Sequence, residues 1–240
     1  MSRMPDDHAT VAEEEYLQTI FWLQEARLPM TAANVARAMQ LSAPTVHEMV
    51  GRLERDGYVT RATDRSLEFT DSGRRHAEGI VRRHRLIERF LTDVLGIPWD
   101  EVHEEAERLE HAMSPVLEAR MLAAIGDAKT CPHGHPIQAG ERIEGVPLAD
   151  VETGAAVTIL RFENEAEDLL HYLKESGVEP GLKGAVSESD PEHVVVELGG
   201  RRATLTRSVS ETVSVLADPS PPPRTALPEQ LVLSKDRYGR

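Results

Sequence analysis

The segment VHEEAERLEHAM sets His103, Glu107, Glu110 and His111 at relative positions 0, 4, 7 and 8, so a helix there carries all four on one face. Imidazole nitrogens and carboxylate oxygens are donors that divalent cations take. Leaving Glu107 and Glu110 together without a counter-charge costs stability, and a bound cation removes that cost. Upstream, His84 and Glu88 repeat the i, i+4 spacing, and two helices packed on these faces form a cage of nitrogen and oxygen donors. Glu15, on a third helical segment, can complete it. The same charged faces also read as solvated surface. A second cluster is Cys131-Pro132-His133, with His135 beyond; such a Cys-x-His reads either as a metal site or as a buried thiol beside an imidazole.

These side chains need elements to hold them. Residues 9–26 carry Val11, Tyr16, Ile20 and Leu23 on one helical face, and Pro29 breaks the pattern. Thr31 caps a short helix, TAANVARAMQ; Ser42 caps a second, with Pro44 in its first turn and Gly57 stopping it. YVTRATDRSLEF, residues 58–69, reads as two short strands around an Asp64-Arg65-Ser66 turn. Helix, turn, helix and hairpin make a winged helix-turn-helix, whose second helix lies in the major groove of DNA. Ser42, Pro44, Thr45 and Glu48 then face base edges, Pro44 and the Thr45 methyl being suited to thymine methyls. Arg52 and Arg55, further along, and Arg65 on the wing tip meet phosphates. Glu48 is the awkward one: a carboxylate accepts only from a cytosine amino group and repels phosphate.

Charge follows the same division. The chain as a whole carries −14, which argues against a generic polyanion binder. Residues 27–85 nevertheless hold eleven arginines against seven acids, whereas residues 86–140 hold four bases against ten acids. The first block suits phosphates and the second suits cations.

Thr70 or Asp71 opens a long helix that ends near Gly96, and residues 100–113 and 115–126 form two more, the latter with Ser114 as cap and Pro115 at its first position. Periodicity lapses across residues 127–154, a stretch punctuated by Gly and Pro that reads as a linker or a functional loop. Beyond it, five short strands and one helix, NEAEDLLHYLKESG, fit a small barrel, and the Pro-rich end reads as a flexible tail. One cysteine excludes an internal disulfide. With no apolar run near the roughly 18–20 residues of a membrane span and no apolar signal core, a cytoplasmic protein is expected. A rival from another class is a di-metal carboxylate iron oxidase or storage protein, which predicts four long helices and is opposed by the winged-helix block.

APTVHEMVGRLERDGYV, TDRSLEFTDSGRRHAEGIVRRHRLIERFLTDVLG, VHEEAERLEHAMS and CPHGHPI together closely resemble the diphtheria-toxin-repressor family of metal-dependent transcriptional regulators over residues 10–140. LLHYLKESGVEPG resembles the SH3-like domain, akin to ferrous-iron transport protein A, that longer members carry. The resemblance implies a mainly α fold with a small β part, divided into a winged helix-turn-helix DNA-binding domain (1–75), a helical metal-binding and dimerisation domain (76–140), a linker (141–153), an SH3-like barrel (154–217) and a tail (218–240). It implies no enzyme but a homodimeric repressor that binds pseudopalindromic operators near metal-uptake genes when loaded with Mn(II) or Fe(II). The family's primary site falls on Glu15, His84, Glu107, Glu110 and His111. The second site of its manganese-responsive members falls on Glu88, Cys131, His133 and Asp168, and His103 matches a further ligand of iron-type members; Glu165 or Glu167 replaces Asp168 if the register slips. That makes two metal sites per subunit. Iron-type members usually hold Met and Cys where this chain has Glu15 and Glu107, and loss of the soft sulfur donors favours Mn(II) over Fe(II). Gln18 replaces a Glu used by two-metal manganese regulators. An iron-specific sensor of the same family is the alternative.

Overall fold

The computed structural model describes residues 9–138 and 142–218. Side-chain capping decides most helix starts. Thr10, Thr31, Ser42, Thr70 and Ser114 each accept the backbone N–H three residues on, opening α1 (Val11–Glu25), α2 (Ala32–Ala38), α3 (Ala43–Arg55), α4 (Asp71–Leu95) and α6 (Pro115–Ala124). At Thr10 the cap is reciprocal: Glu13 reaches back to the Thr10 N–H, forming a capping box. α5 (Val102–Glu110) starts without a side-chain cap.

Between α3 and α4 the antiparallel strands β1 (Val59–Arg61) and β2 (Leu67–Phe69) form the wing. Arg65 takes φ +67° at its tip, where Asp64 accepts from the Ser66 N–H and hydroxyl. Gly73, in the first turn of α4, runs against the wing so closely that a Cβ there would lie 1.8 Å from the Tyr58 carbonyl oxygen. One apolar core, with Leu17, Ile20, Val46, Val50, Leu53, Leu67 and Ile80, joins α1, α3, the wing and the front of α4. A second, with Leu86, Ile87, Leu91, Val102, Ala106 and Met121, joins the rear of α4 to α5 and α6. α4 therefore belongs to both bodies. It is the one long helix among the described residues, so the four-helix frame of a di-metal oxidase or store is absent from them.

The C-terminal body is a six-stranded antiparallel sheet in the order β3-β8-β4-β5-β6-β7, formed by β3 (Val146–Pro147), β4 (Ala156–Phe162), β5 (Lys183–Ser189), β6 (His193–Leu198), β7 (Arg201–Thr206) and β8 (Val213–Asp218). α7 (Glu167–Glu175) and the short α8 (Arg207–Ser210) accompany it, and Phe162, Leu169, Leu173, Val194, Val196 and Val215 lie in its core. The segment 141–153, expected as linker, supplies β3 and a 3-10 turn at Leu148–Asp150, with Leu148 and Val151 in that core. A two-residue strand has no alternation to read, so only pairing with β8 reveals it. Apart from Asp218, which ends β8, the tail 218–240 lies outside the described residues.

Candidate metal centre

α4 and α5 pack face to face as the spacing predicts, and their inward residues meet. His84 Nδ1 lies 2.7 Å from Glu110 Oε2, while His84 Nε2 lies 3.0 Å from Glu88 Oε1 and 3.1 Å from His103 Nδ1. Gln18 Nε2 of α1 donates to the same Glu110 oxygen at 3.0 Å, and Trp22 sits against the His84 and His103 rings with centroids at 5.5 and 5.8 Å. His111, just after α5, has Nε2 3.3 Å from Glu110 Oε1. Glu107 lies one turn from His103, Oε1 to Nε2 3.5 Å. Glu15 is exposed on α1. It faces, with Gln18, His103, Glu107, Glu110 and His111, one cleft of about 470 Å³.

The CPHGH stretch is a closed hairpin. The Cys131 N–H donates to the His135 carbonyl at 2.8 Å, and the Gly134 N–H to the Cys131 carbonyl at 3.0 Å. Arg85 and Arg89 of α4 hold it through the carbonyls of Pro136, Thr130 and Cys131. Gly134 takes φ +93°, and a Cβ there would lie 1.9 Å from the Leu160 carbonyl oxygen, so only glycine lets the hairpin pack on β4. This packing buries Cys131 and His133 beside Glu88. His133 Nε2 donates to the Trp99 carbonyl at 2.7 Å, which leaves Nδ1, 3.2 Å from Glu88 Oε1, as the ring nitrogen that could take a cation.

The third-domain carboxylate at this cluster is Glu165. Its Oε2 lies 3.2 Å from His103 Nδ1 and 3.6 Å from His133 Nδ1, and its Oε1 3.3 Å from His135 Nε2. Asp168 and Glu167 point to solvent from the first turn of α7, and Asp168 belongs to none of the metal-capable groups among the described residues. The structure thus brings Glu88, His103, Cys131 and His133 together with Glu165, and leaves Asp168 outside. The physical reason is where α7 begins: Asn164 Oδ1 accepts from the Ala166 N–H, so Glu165 sits in the extended approach to the helix and turns inward.

The electrostatics favour positive charge on the imidazoles and negative charge on the carboxylates. Burial opposes charge on His84, but Glu88 and Glu110 outweigh it and raise its pKa to about 9. Burial likewise opposes charge on His103 and His133, yet carboxylate neighbours hold both well above the usual imidazole range: Glu107, Glu165 and Glu88 for His103, and Glu88 and Glu165 for His133. Glu88 and Glu165 are pushed up by burial but held well below the carboxylate range by the imidazoles. Burial, aided by Glu88, pushes the Cys131 thiol up to about 11, so it is protonated at neutral pH. Burial lowers His135 instead. Glu88 Oε2 and His133 Nδ1 are buried without a hydrogen-bond partner. Orphaned donor atoms beside a thiol and further imidazoles fit a divalent metal ion.

At the other end, Ser42, Pro44, Thr45 and Glu48 are exposed at the start of α3, with Ser42 Oγ and Thr45 Oγ1 2.7 Å apart. Arg55 and Arg65 are exposed, whereas Arg52 is engaged by Glu13 of α1, Nε to Oε1 2.9 Å. Val94, Leu95, Leu109, Val116 and Leu117 leave apolar surface exposed at the end of α4 and on α5 and α6.

Residues 8–67 match the family model for the iron dependent repressor N-terminal DNA binding domain, and residues 70–139 that for its metal binding and dimerisation domain. The chain belongs to the iron-dependent repressor family. Residues 146–217 match the FeoA domain. The iron-dependent repressor IdeR of Mycobacterium leprae is 34% identical over 219 residues, 84% of this chain and 95% of that protein. The diphtheria toxin repressor of Corynebacterium diphtheriae is 44% identical over 124 residues, 52% of this chain and 55% of that protein. A manganese-dependent transcriptional repressor solved with manganese superposes with TM-score 0.78 at 31% identity, covering 85% of this chain and 99% of that one. The IdeR of T. acidophilum superposes with TM-score 0.74 at 27% identity, covering 87% and 99%. Family members are metal-dependent transcriptional repressors, and this chain is a DNA-binding regulator of that kind rather than an enzyme. No helix among the described residues is long and apolar enough to cross a membrane.

Several contributors carry no signal in the sequence. Glu14, Arg85, Arg89 and the Trp99 carbonyl act through contacts between distant segments, which local spacing does not encode.

Proposed function

We propose that this chain is a cytoplasmic, homodimeric repressor of metal-uptake genes that grips pseudopalindromic operators when loaded with Mn(II). The observation that carries the reading is the cleft between bodies: Glu15 and Gln18 arrive from α1, which packs with the DNA-reading helix, and Glu107, Glu110 and His111 from α5 and its end. Glu15, His84, Glu107, Glu110 and His111 form the primary centre, and Glu88, His103, Cys131, His133 and Glu165 a second one. An ion bound at the first supplies the positive charge that the facing carboxylates lack.

Drawing Glu15 towards Glu107 and Glu110 fixes the angle between the DNA-binding and dimerisation domains. In a two-fold dimer closed by the exposed apolar surface of α5 and α6, that angle sets the spacing of the two α3 helices, and only one spacing matches successive major grooves. Moving the population from 1:99 to 99:1 needs a preference of about 5.5 kcal/mol. Structural metal sites bind with on the order of 10 kcal/mol, so a partial preference suffices.

Manganese is favoured because every donor of the primary set is nitrogen or carboxylate oxygen, and Mn(II), lowest in the divalent affinity order, needs hard donors in number. Cys131 gives the second centre one softer donor. Fluorescence anisotropy of a labelled operator from a manganese-transport promoter, titrated with protein in Mn(II), anaerobic Fe(II), Zn(II) or chelator, tests the reading. Tight binding in Mn(II) and none in chelator is expected; a response to Fe(II) alone reverses the choice of metal.

A further inference from the structure

Three consecutive glutamates lie in the first turns of α1, and each meets different surroundings. Glu13 reaches Arg52 on the recognition helix, and Glu15 faces the cleft. Glu14 reaches the dimerisation domain: its Oε1 accepts from Arg83 Nη2 at 3.0 Å, and its Oε2 lies 2.7 Å from His111 Nδ1. Both members of the Glu14–His111 pair are largely shielded, with 20% and 13% of the side chain accessible.

A carboxylate can only accept, so the bond to Glu14 is made by the Nδ1–H of His111, and Nε2 is the ring nitrogen turned the other way. That Nε2 lies 3.3 Å from Glu110 Oε1, on the side of the primary centre. We propose that Glu14 is the positioning residue of that centre: it fixes the ring and tautomer of His111 without itself reaching a bound ion. The inference rests on the primary-centre reading given above. Its consequence is specific to the topology. Glu14 belongs to the DNA-binding body and His111 to the end of α5, so His111 is correctly presented only while α1 is docked. His111 Nε2 would help hold an ion at the primary centre, and with the ion bound the Nδ1–H bond to Glu14 would strengthen, so loading would tighten the same junction from outside the coordination sphere. Arg83 supports this by occupying the other oxygen, which leaves Oε2 for the imidazole.

The test is Mn(II) binding by the full chain, read from the loss of the free-ion paramagnetic resonance signal, for the parent, Glu14→Gln, Glu14→Ala and His111→Ala. Loss of an outer-shell partner typically weakens metal affinity by about 10–100-fold. Glu14→Ala is expected to show a drop of that size at the primary centre with the final number of bound ions unchanged. Glu14→Gln, which keeps an acceptor oxygen, falls between it and the parent. His111→Ala loses one ion outright. Affinity unchanged in Glu14→Ala reduces the contact to an ion pair of no consequence for metal and overturns the proposal. Loss of a bound ion in Glu14→Ala overturns it too, making Glu14 a ligand. So do equal losses in both Glu14 variants accompanied by an earlier melt of the metal-free protein, which mark a merely structural contact. If His111→Ala binds Mn(II) as the parent does, it is the primary-centre reading that fails, a result separate from all of these.

Discussion

Glu13 Oε1 stands 2.9 Å from Arg52 Nε, while Glu13 Oε2 takes the Thr10 N–H and hydroxyl at 2.7 and 2.8 Å. One buried carboxylate thus ties the start of α1 to the recognition helix. Arg52 is therefore braced to the element that also carries Glu15, and on the proposed reading its remaining guanidinium N–H groups are what it offers a phosphate.

Arg52→Ala is expected to weaken binding to all DNA sequences alike and to lower the slope of log K against log salt by about one unit. Thr45→Ala instead changes the ranking among operators that differ in a thymine at the contacted position, with the salt slope unchanged. Anisotropy titrations at several salt concentrations separate the two; a sequence-selective loss on removing Arg52 contradicts its assignment to phosphate.

Glu107→Ala is expected to abolish metal-dependent operator binding while the metal-free protein melts as the parent does, because the side chain is half-buried on the cleft wall and not in a core. Repression that persists in this variant contradicts the primary centre.

Glu165→Ala and Asp168→Ala discriminate the two carboxylates proposed for the second centre. Glu165 faces His103 and His133, so its removal is expected to weaken Co(II) uptake there and reduce the thiolate-to-metal absorption from Cys131. Asp168, exposed on α7, leaves both unchanged when removed. The opposite pattern restores Asp168 as the ligand.

Metal uptake is expected to release protons, because Cys131 and the imidazoles of His84, His103 and His133 hold theirs when no ion is bound. Affinity therefore rises with pH across the neutral range, and calorimetry in buffers of different ionisation enthalpy measures the protons released. For the metal-free protein the sign is the reverse. His84, raised from 6.5 to about 9, contributes stability that is full below pH 6.5 and is lost as pH rises through 9. Denaturant melts in chelator at pH 6 and pH 9 are expected to show the lower stability at pH 9.

Gly134→Ala places a Cβ against the Leu160 carbonyl at a φ that L-residues rarely adopt. Backbone strain alone costs about 1–3 kcal/mol, and the clash displaces Cys131 and His133 from Glu88. A lower melting temperature together with loss of second-centre metal is expected. A variant that melts earlier but binds metal as before shows that the hairpin does not position the ligands.

The sequence by itself determined what periodicity and caps encode. His84 with Glu88, and His103 with Glu107, Glu110 and His111, share their faces because 3.6 residues per turn leaves no other arrangement. Thr31, Ser42, Thr70 and Ser114 open their helices because a side-chain oxygen satisfies the first orphan N–H groups. Only the tertiary structure decided which carboxylate of the Glu163–Asp168 run reaches the imidazoles, since this depends on where β4 ends and how the barrel docks on Trp99 and Asp100. It decided equally that Glu13 holds Arg52 and Glu14 holds His111. Three adjacent glutamates on one helix are chemically identical in sequence; helical rotation points them about 100° apart, and the elements packed around α1 give each a different partner.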